Sequence, residues 1–346
     1  MPSDESWMRL ALREARRGLG RTSPNPAVGA SIVSPGGQKL LARGWHRAAG
    51  SPHAEIEALR RLPRPSQSRG ATLYVTLEPC STHGRTPPCV DAIIAAGFAR
   101  VIVGATDPNP AHAGRGLELL RAAGIEVIPG ILAAEATALN RPFNKWILTG
   151  LPLVIAKCAL SLDSRILRLP SEGPWLTSAP ARLDAHRLRA QVDAILIGAG
   201  TLRADNPHLT IRGIRHTRQP WRVILTRSGK LPATSHLFTD EHRDRTLVYK
   251  NRPLPAVLRD LASRGVTSLL IEGGAQTLAE AFRLHLVDRV HFYIAPLLLA
   301  GPDLPIFARD FPSIPAPLID HPTYRRIGPD LHLTGDVSQP PRPPSD

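Results

Sequence analysis

Strand-length apolar runs alternate with stretches of helical period along this 346-residue chain. The alternation stops near residue 146 and then starts again. Such a pattern demands sheets covered by helices, because each crossover helix needs a sheet face on which to bury its apolar stripe. In the first half, "SWMRLALREARRGLG" carries apolar residues at helical spacing and ends in glycine. "AVGASIVSPGG" and "KLLARGWH" read as strands, "HAEIEALRRL" as a helix and "ATLYVTLEP" as an alternating strand. "CVDAIIAAG", "RVIVGATD", "GRGLELLRAAG" and "IEVIPG" continue as helix, strand, helix and strand. A three-layer α/β/α domain over residues 1–146 is the expectation.

The second half repeats the class without repeating a motif. "LPLVIAKCALSLD" is an apolar strand and "SAPARLDAHRLRAQ" a helix. "VDAILIGAG", "WRVILTRSG" and "TLVYK" are strand-like, and the helix "LPAVLRDLASRG" leads into the strand "VTSLLIEGG". "GAQTLAEAFRLHLV" is a helix and "RVHFYIAPLLL" a last long strand, which predicts a second α/β domain over residues 147–335. Residues 336–346, ending in "SQPPRPPSD", have nothing to bury and are expected to form a disordered tail.

Composition narrows the function classes. Hydrophobic residues make up 42% and charged residues 21% of the chain, a globular balance. The formal net charge of +14 suits phosphorylated or nucleic-acid partners, but the arginines are spread along the chain rather than gathered into one tract. Three cysteines are too few for a disulfide framework in a chain of this size. The start, "MPSDESWMRLALREARRG", has no apolar core of the secretory kind, and no run reaches membrane-spanning length. A cytoplasmic enzyme with no membrane partner is the expectation.

Two of the three cysteines carry chemistry. A lone histidine at a helix start is commonly a surface residue, and isolated cysteines usually behave as small buried hydrophobes. Here His53 and Glu55 open one helix, Cys80 ends a strand, and Cys89 opens a further helix behind Pro87 and Pro88. One imidazole and two thiolates suit tetrahedral zinc with the fourth position open to water. Pro88 is tolerated at a helix start, and Cys89 is expected to face the free N–H groups there. Glu55 is then free to carry protons. The order H-x-E, P-C, C is that of zinc nucleobase deaminases, except that eight residues separate Cys80 from Cys89 where two are usual. A closed, structural zinc site remains the alternative, with His83 as the candidate fourth ligand.

In the second half, Gly198 and Gly200 follow an apolar strand, yet "GAGTLRADNP" lacks the third glycine of G-x-G-x-x-G. "IEGGAQTLAEAF" gives a strand, two glycines and a helix, which reads equally as a phosphate cradle or as a tight strand–helix turn.

The string "TLEPCSTHGRTPPC" resembles the RibD family of bifunctional riboflavin-biosynthesis deaminase/reductases. The resemblance extends through "TSPNPAVGA", "GWH", "SPHAEIEAL", "ATDPNP" and "LNRPF", then into "KCALSLD", "WLTS", "LRAQVDAILIGAGTLRADNPHLTIR", "IEGG" and "VHFYIAP". It implies a cytidine-deaminase-like domain followed by a dihydrofolate-reductase-like domain. The first would use zinc to deaminate a diaminopyrimidinone bearing a ribosylamino 5-phosphate. The second would use NADPH to reduce the ribosyl group to a ribityl chain. By motif position the resemblance implies His53, Cys80 and Cys89 as ligands, Glu55 as proton shuttle, and Asn25, His83 and Arg85 as deaminase substrate contacts. For the reductase it implies Lys157, Arg189, Asp205, Leu209, Arg212 and Glu272 at the substrate. Ala159, Trp175, Thr177, Thr201, Asp205, Gly273 and Gly274 are implied at the cofactor. Assembly into a homo-oligomer through the second domain is also implied.

Three departures from the family pattern fall in the second half. Ser164 stands for a glycine in "SLDS", Gly173 for a serine before Trp175, and Asn206 for an aspartate. If Ser164 must take a left-handed backbone, the lost glycine costs about 1 kcal/mol. A deaminase with an impaired or retuned reductase is therefore one alternative. A nucleic-acid-binding base-editing deaminase is another, encouraged by the charge but lacking a basic tract interleaved with aromatics.

Overall fold

A computed structural model of the chain describes residues 2–83, 87–110, 112–166, 175–216, 218–299 and 317–338. The chain divides into two compact units, Met1–Leu151 and Pro152–Asp346.

In the first unit, β1 (Gly29–Val33), β2 (Leu40–Trp45), β3 (Thr72–Leu77), β4 (Arg100–Ala105) and β5 (Glu126–Pro129) form one sheet in the order β2-β1-β3-β4-β5. β1 runs antiparallel to both neighbours, while β3, β4 and β5 are parallel. Strand alternation then sorts side chains into two cores. Leu73, Val75, Val101 and Val103 face α2 (Ala54–Leu59), α3 (Cys89–Ala96) and α4 (Arg115–Ala122). Tyr74 and Ile102 turn to the other face, where α1 (Asp4–Arg16) contributes Met8, Ala11 and Leu12, and α5 (Ala133–Leu139) contributes Ala136. This is the expected three-layer domain, closed by α6 (Arg141–Thr149).

Two glycines let helices lie directly on strands. A Cβ on Gly29 would stand 2.1 Å from the Ala11 carbonyl of α1, and one on Gly44 2.4 Å from the Ala54 carbonyl of α2. The second contact matters for function, since α2 begins immediately after His53.

The second unit holds an eight-stranded sheet. Its strands are β6 (Leu153–Ser161), β7 (Ala194–Gly198), β8 (Trp221–Thr226), β9 (Thr246–Lys250), β10 (Ser268–Ile271), β11 (Arg289–Ala295), β12 (Leu318–Ile327) and β13 (Asp330–Ser338), in the order β12-β13-β11-β6-β10-β7-β8-β9. From β11 to β9 all pairings are parallel, and the terminal hairpin β12–β13 adds antiparallel. The helices are α7 (Ala179–Arg189), α8 (Ala199–Asp205), the short α9 (His236–Thr239), α10 (Leu254–Ser263) and α11 (Ala275–Arg283).

Two expectations need correction here. "RVHFYIAPLLL" is not the last strand, since β12 and β13 follow it. The tail does not begin at residue 336, because β13 continues to Ser338 and Val337 N donates to the Asp288 carbonyl. Residues 339–346 lie outside the described residues. No helix among the described residues is long and apolar enough to cross a membrane.

Candidate functional site

In the first unit the ends of three elements converge. His53 is the N-cap of α2, Cys80 lies just beyond β3, and Cys89 is the first residue of α3, whose N-cap is Pro88. His53 Nδ1 lies 3.4 Å from Cys80 Sγ and 3.3 Å from Cys89 Sγ, and the three ligand atoms all lie within 4.8 Å of one another. Pro88 is tolerated where a helix N–H would have no partner.

The helix terminus acts on the other cysteine from the one expected. Cys89 N donates to Cys80 Sγ at 3.3 Å, so Cys80 receives the terminal N–H of α3. The Cys89 thiol and the His53 ring also favour charge on Cys80, and its pKa falls against the opposing effect of burial. Cys89 is pushed up, first by its hydrogen bond to Cys80 and then by burial. A divalent cation binding both sulfurs would displace whatever thiol proton remains.

His83 is exposed and does not join this cluster, which has three ligands among the described residues. The closed structural site therefore gains no fourth protein ligand from His83. The donor set of one imidazole and two thiols fits zinc with an open position. Glu55, on the first turn of α2, is 3% exposed. Burial pushes its carboxyl up against a smaller opposing effect of His53. A carboxyl in that state holds a proton readily, as a shuttle must.

Asn25 reaches this centre through a residue that sequence reasoning passed over. His46 is buried, its Nδ1 pairs with the Pro52 carbonyl at 3.1 Å, and its Nε2 pairs with Asn25 Nδ2 at 3.2 Å. A carbonyl can only accept, so Nδ1 carries the proton and Nε2 accepts from the Asn25 amide. That leaves Asn25 Oδ1 as the end with acceptor capacity to offer. The His46 ring meets His53 edge-on, with centroids 5.1 Å apart. Asn140 fixes the same loop from behind: its Oδ1 accepts from Ala27 N at 2.8 Å, and its Nδ2 donates to the Ala27 carbonyl at 3.0 Å.

Glu78, also overlooked, accepts from the N–H groups of Asp107, Gly114 and Gly116 and so ties "ATDPNP" and the start of α4 to the strand before Cys80. Lone polar residues carry no spacing signal; burial is what marks these three. Arg85 lies outside the described residues.

In the second unit the C-terminal ends of parallel strands gather the remaining candidates, where α/β sheets hold ligands. Glu272, directly after β10, is buried and ion-paired on two sides. Arg189 Nε lies 2.7 Å from its Oε1, Arg189 Nη2 2.8 Å from its Oε2, and Lys157 Nζ of β6 3.4 Å from the same Oε2. Burial opposes ionisation, but the Arg189 and Lys157 charges outweigh it and hold the carboxyl well below its usual range. The third Arg189 nitrogen, Nη1, donates to the Thr210 carbonyl at 3.0 Å. Each guanidinium nitrogen therefore has a partner within the chain.

Thr210 belongs to a strap, residues 206–212, that carries Leu209 and Arg212. Leu209 has φ +51° and is 3% exposed, with its side chain in a core cluster, so only its backbone remains for a ligand. Arg222 Nη1 donates to the His208 carbonyl, Gln219 brackets Ile211 through N–H and C=O, and Arg212 N donates to His186 Nδ1. Backbone conformations of this kind persist where surrounding bonds over-determine them. Asp205 ends α8 at the start of the strap and is exposed.

The two glycine turns meet over adjacent strands. Gly274 N donates to Thr201 Oγ1 at 3.0 Å, and a Cβ on Gly273 would stand 2.8 Å from Thr277 Cβ. Gly200 faces open space. Gly274 caps α11, so a helix N-terminus opens beside the Thr201 turn, a chemistry that suits a dinucleotide phosphate. Ala159 lies on β6 in register with Tyr293 of β11. Trp175, 54% exposed, lies under the Arg182 guanidinium at 4.9 Å, and Arg182 also donates to the Thr177 carbonyl.

Comparison with known proteins follows the same division. Residues 1–105 match the cytidine and deoxycytidylate deaminase zinc-binding region, and residues 152–333 match the RibD C-terminal domain. RibD of Bacillus amyloliquefaciens is 39% identical over 358 residues, covering 96% of this chain and 95% of its own. The chain belongs to the RibD family. RibD of Escherichia coli strain K12 is also 39% identical, over 96% of this chain and 99% of its own. Among solved structures, Acinetobacter baumannii RibD superposes with a TM-score of 0.87 at 36% identity, covering 97% of this chain and 99% of that one. A Thermotoga maritima diaminohydroxyphosphoribosylaminopyrimidine deaminase/5-amino-6-(5-phosphoribosylamino)uracil reductase gives 0.85 at 33% identity, covering 96% and 98%. This RibD family chain is thus a bifunctional deaminase/reductase of riboflavin biosynthesis, with zinc and NADPH as its cofactors.

Two of the three departures from the family pattern now have local accounts. Ser164 takes φ +62°, so the condition on which the lost glycine carries a cost is met. Asn206 is left-handed at the end of α8, a conformation Asn tolerates better than most residues, and its Oδ1 accepts from His236 N at the start of α9. Gly173 lies outside the described residues.

Proposed function

We propose that residues 1–146 deaminate 2,5-diamino-6-(5-phosphoribosylamino)pyrimidin-4(3H)-one, and that residues 147–335 reduce the product to 5-amino-6-(5-phosphoribitylamino)uracil. The observation that carries the first half is the three-ligand cluster of His53, Cys80 and Cys89 with the buried Glu55 carboxyl behind it. Zinc held by His53, Cys80 and Cys89 would supply a Lewis acid to activate a water for attack on the amine-bearing ring carbon. Glu55 takes the proton of that water and returns it to the departing ammonia. Asn25, oriented by His46, accepts a ring or amine N–H through Oδ1. His83 and Arg85, in the sequence between the two cysteines, contact the substrate at its phosphate or its ring.

In the second half bound NADPH would supply a hydride to the anomeric carbon once the sugar ring has opened to the imine, and a proton taken up with it completes the ribitylamino chain. Gly273 and Gly274, with Thr201, hold the cofactor phosphates, and Ala159, Trp175, Thr177 and Asp205 line its remaining length. Arg212, whose guanidinium has no acidic partner among the described residues, holds the substrate phosphate. The Leu209 backbone shapes the pocket. Lys157 and Glu272 face the substrate as a pair, and Arg189 acts mainly by fixing Glu272 and the strap.

The enzyme works in the cytoplasm on this small phosphorylated pyrimidine, without nucleic acid or membrane as partner. It assembles as a homo-oligomer through the second unit, whose edge strand β12 exposes Leu318 and Tyr324.

A coupled assay of zinc-loaded protein that follows ammonia release and NADPH oxidation separately tests this reading. Ammonia release should be lost in Glu55→Ala with zinc content unchanged. NADPH oxidation should fall at least tenfold in Arg212→Ala, for one lost charge-assisted contact of about 1.5–3 kcal/mol. Ammonia without NADPH oxidation would point to a retuned reductase, with Ser164 and Gly173 as the sites to revert. No ammonia from fully zinc-loaded protein would overturn the substrate assignment.

A further inference from the structure

One residue at the reductase site belongs to no motif considered so far. His186 lies on the last turn of α7, three residues before Arg189, and is half-buried. Its Nδ1 receives the backbone N–H of Arg212 at 3.2 Å. A backbone N–H can only donate, so Nδ1 is the bare nitrogen and the proton of the neutral ring is on Nε2. That N–H has no partner among the described residues.

The charges around the ring are those of the site. Arg189 on the same helix, Arg212 on the strap, Glu272 after β10 and Lys157 on β6 all act on it. Arg189, Lys157 and Glu272 form one ion-paired group of net charge +1. Arg212 adds a second positive charge with no acid beside it among the described residues. The surplus of two positive charges matches a phosphate monoester dianion, and Nε2–H is a donor held at the edge of that surplus.

We propose that His186 is a further binding residue for the phosphate of the reductase substrate, its Nε2–H joining the Arg212 guanidinium on the same phosphoryl group. The inference rests on the reductase reading above and assigns that reading a residue which the family motifs did not supply. His186 then has two tasks. Without ligand it fixes, through Nδ1, the backbone from which Arg212 reaches out, and in the complex it contacts the phosphate through Nε2.

A consequence separates these tasks. Without ligand, burial and then Arg189 and Arg212 lower the His186 pKa to about 4, so the ring is neutral near pH 7. A dianion placed beside Nε2 opposes those cations and favours the imidazolium only in the complex. In the imidazolium Nδ1 carries a proton and no longer accepts, so protonation releases the Arg212 N–H and loosens the strap. Ligand binding therefore draws a proton onto His186 and couples phosphate capture to strap movement.

The test is calorimetric titration of a pentose 5-phosphate into the full chain at about pH 7, in two buffers of different ionisation enthalpy, which gives both affinity and proton uptake. His186→Gln keeps an acceptor for Arg212 N and a neutral donor but cannot titrate; His186→Ala keeps neither. The wild type should take up more protons per phosphate bound than His186→Gln. His186→Ala should bind about tenfold or more weakly, the worth of one hydrogen bond to a charged group. In kinetics the substrate KM of both variants should rise while ammonia release stays unchanged, which also reports that the chain has folded. Equal proton uptake by wild type and His186→Gln, or unchanged affinity in His186→Ala, would overturn the proposal while leaving the reductase reading intact. A wild type that releases ammonia but neither binds the phosphate nor oxidises NADPH would overturn both.

Discussion

Glu272 shows what a single buried charge does in this fold. It is a carboxylate inside the protein, tolerable only because Arg189 grips both oxygens and Lys157 one of them. Glu272→Gln removes the charge but leaves both cations, and should destabilise the second unit by about 3 kcal/mol, measured by urea unfolding. The pH dependence has a definite sign. The folded-state pKa is depressed by the two cations against burial, so the stabilisation is present above the ordinary carboxylate range and fades as pH falls toward the folded value. The gap between wild type and variant should be flat from about pH 8 to pH 6 and narrow below about pH 4; a gap that narrows on raising the pH would contradict the ion-pair account. At this scale the sequence exposes residue types and hides their company. "HAE" and the two cysteines were readable because spacing and chemistry agree, whereas nothing in "LRAQ" says that Arg189 is spent on Glu272. His46, Glu78 and Asn140 were invisible as site-builders for the same reason.

Secondary structure was most legible where one face of an element is buried. α1 and α10 have clean helical periodicities and lie where expected, while β3 and β4, buried on both faces, were legible as short apolar runs. The hairpin β12–β13 was missed because β12 is exposed at nearly every position and contains Pro322, so it shows neither an apolar run nor an alternation. Its anchorage is polar: Asp330 in the hairpin accepts from Ser178 N at 2.9 Å and Ser178 Oγ at 2.6 Å, at the N-cap of α7. Arg325 meets Asp184 of the same helix at 3.0 Å. Packing between elements also positions chemistry. α2 rests on Gly44, where an added Cβ would lie 2.4 Å from the Ala54 carbonyl and from Ala58 N, both backbone atoms that cannot swing aside. Gly44→Ala should therefore push the start of α2 outward, costing about 1–3 kcal/mol of stability. Because His53 caps that helix, zinc affinity should fall as well, read by competition with a chromogenic chelator. Loss of stability with unchanged zinc affinity would show that the ligand triangle is set by β3 and α3 alone.

At the scale of the whole molecule, the restart of the strand–helix alternation made two cores legible, and the net charge of +14 proved a weaker guide than three short motifs. The charge is dispersed over arginines, many of them already paired, as Arg17 and Arg43 are with Glu14 and Arg61 is with Glu57. Each unit has its own sheet and its own buried clusters, and the metal ligands all belong to the first. Zinc bound only by the folded first unit stabilises that unit by mass action, and contributes nothing to the second by this route. Treatment with a strong chelator should then split thermal unfolding. The transition of the deaminase unit should move down by several degrees and recover on zinc addition, while the transition of the reductase unit, marked by its upward shift with NADPH, should stay in place. Ammonia release should vanish under the same treatment, with reduction of the already deaminated substrate retained. A single transition that moves as one with zinc and with NADPH would mean that the two cores unfold together, and that two-state bookkeeping, inappropriate for independent units, applies to the chain as a whole.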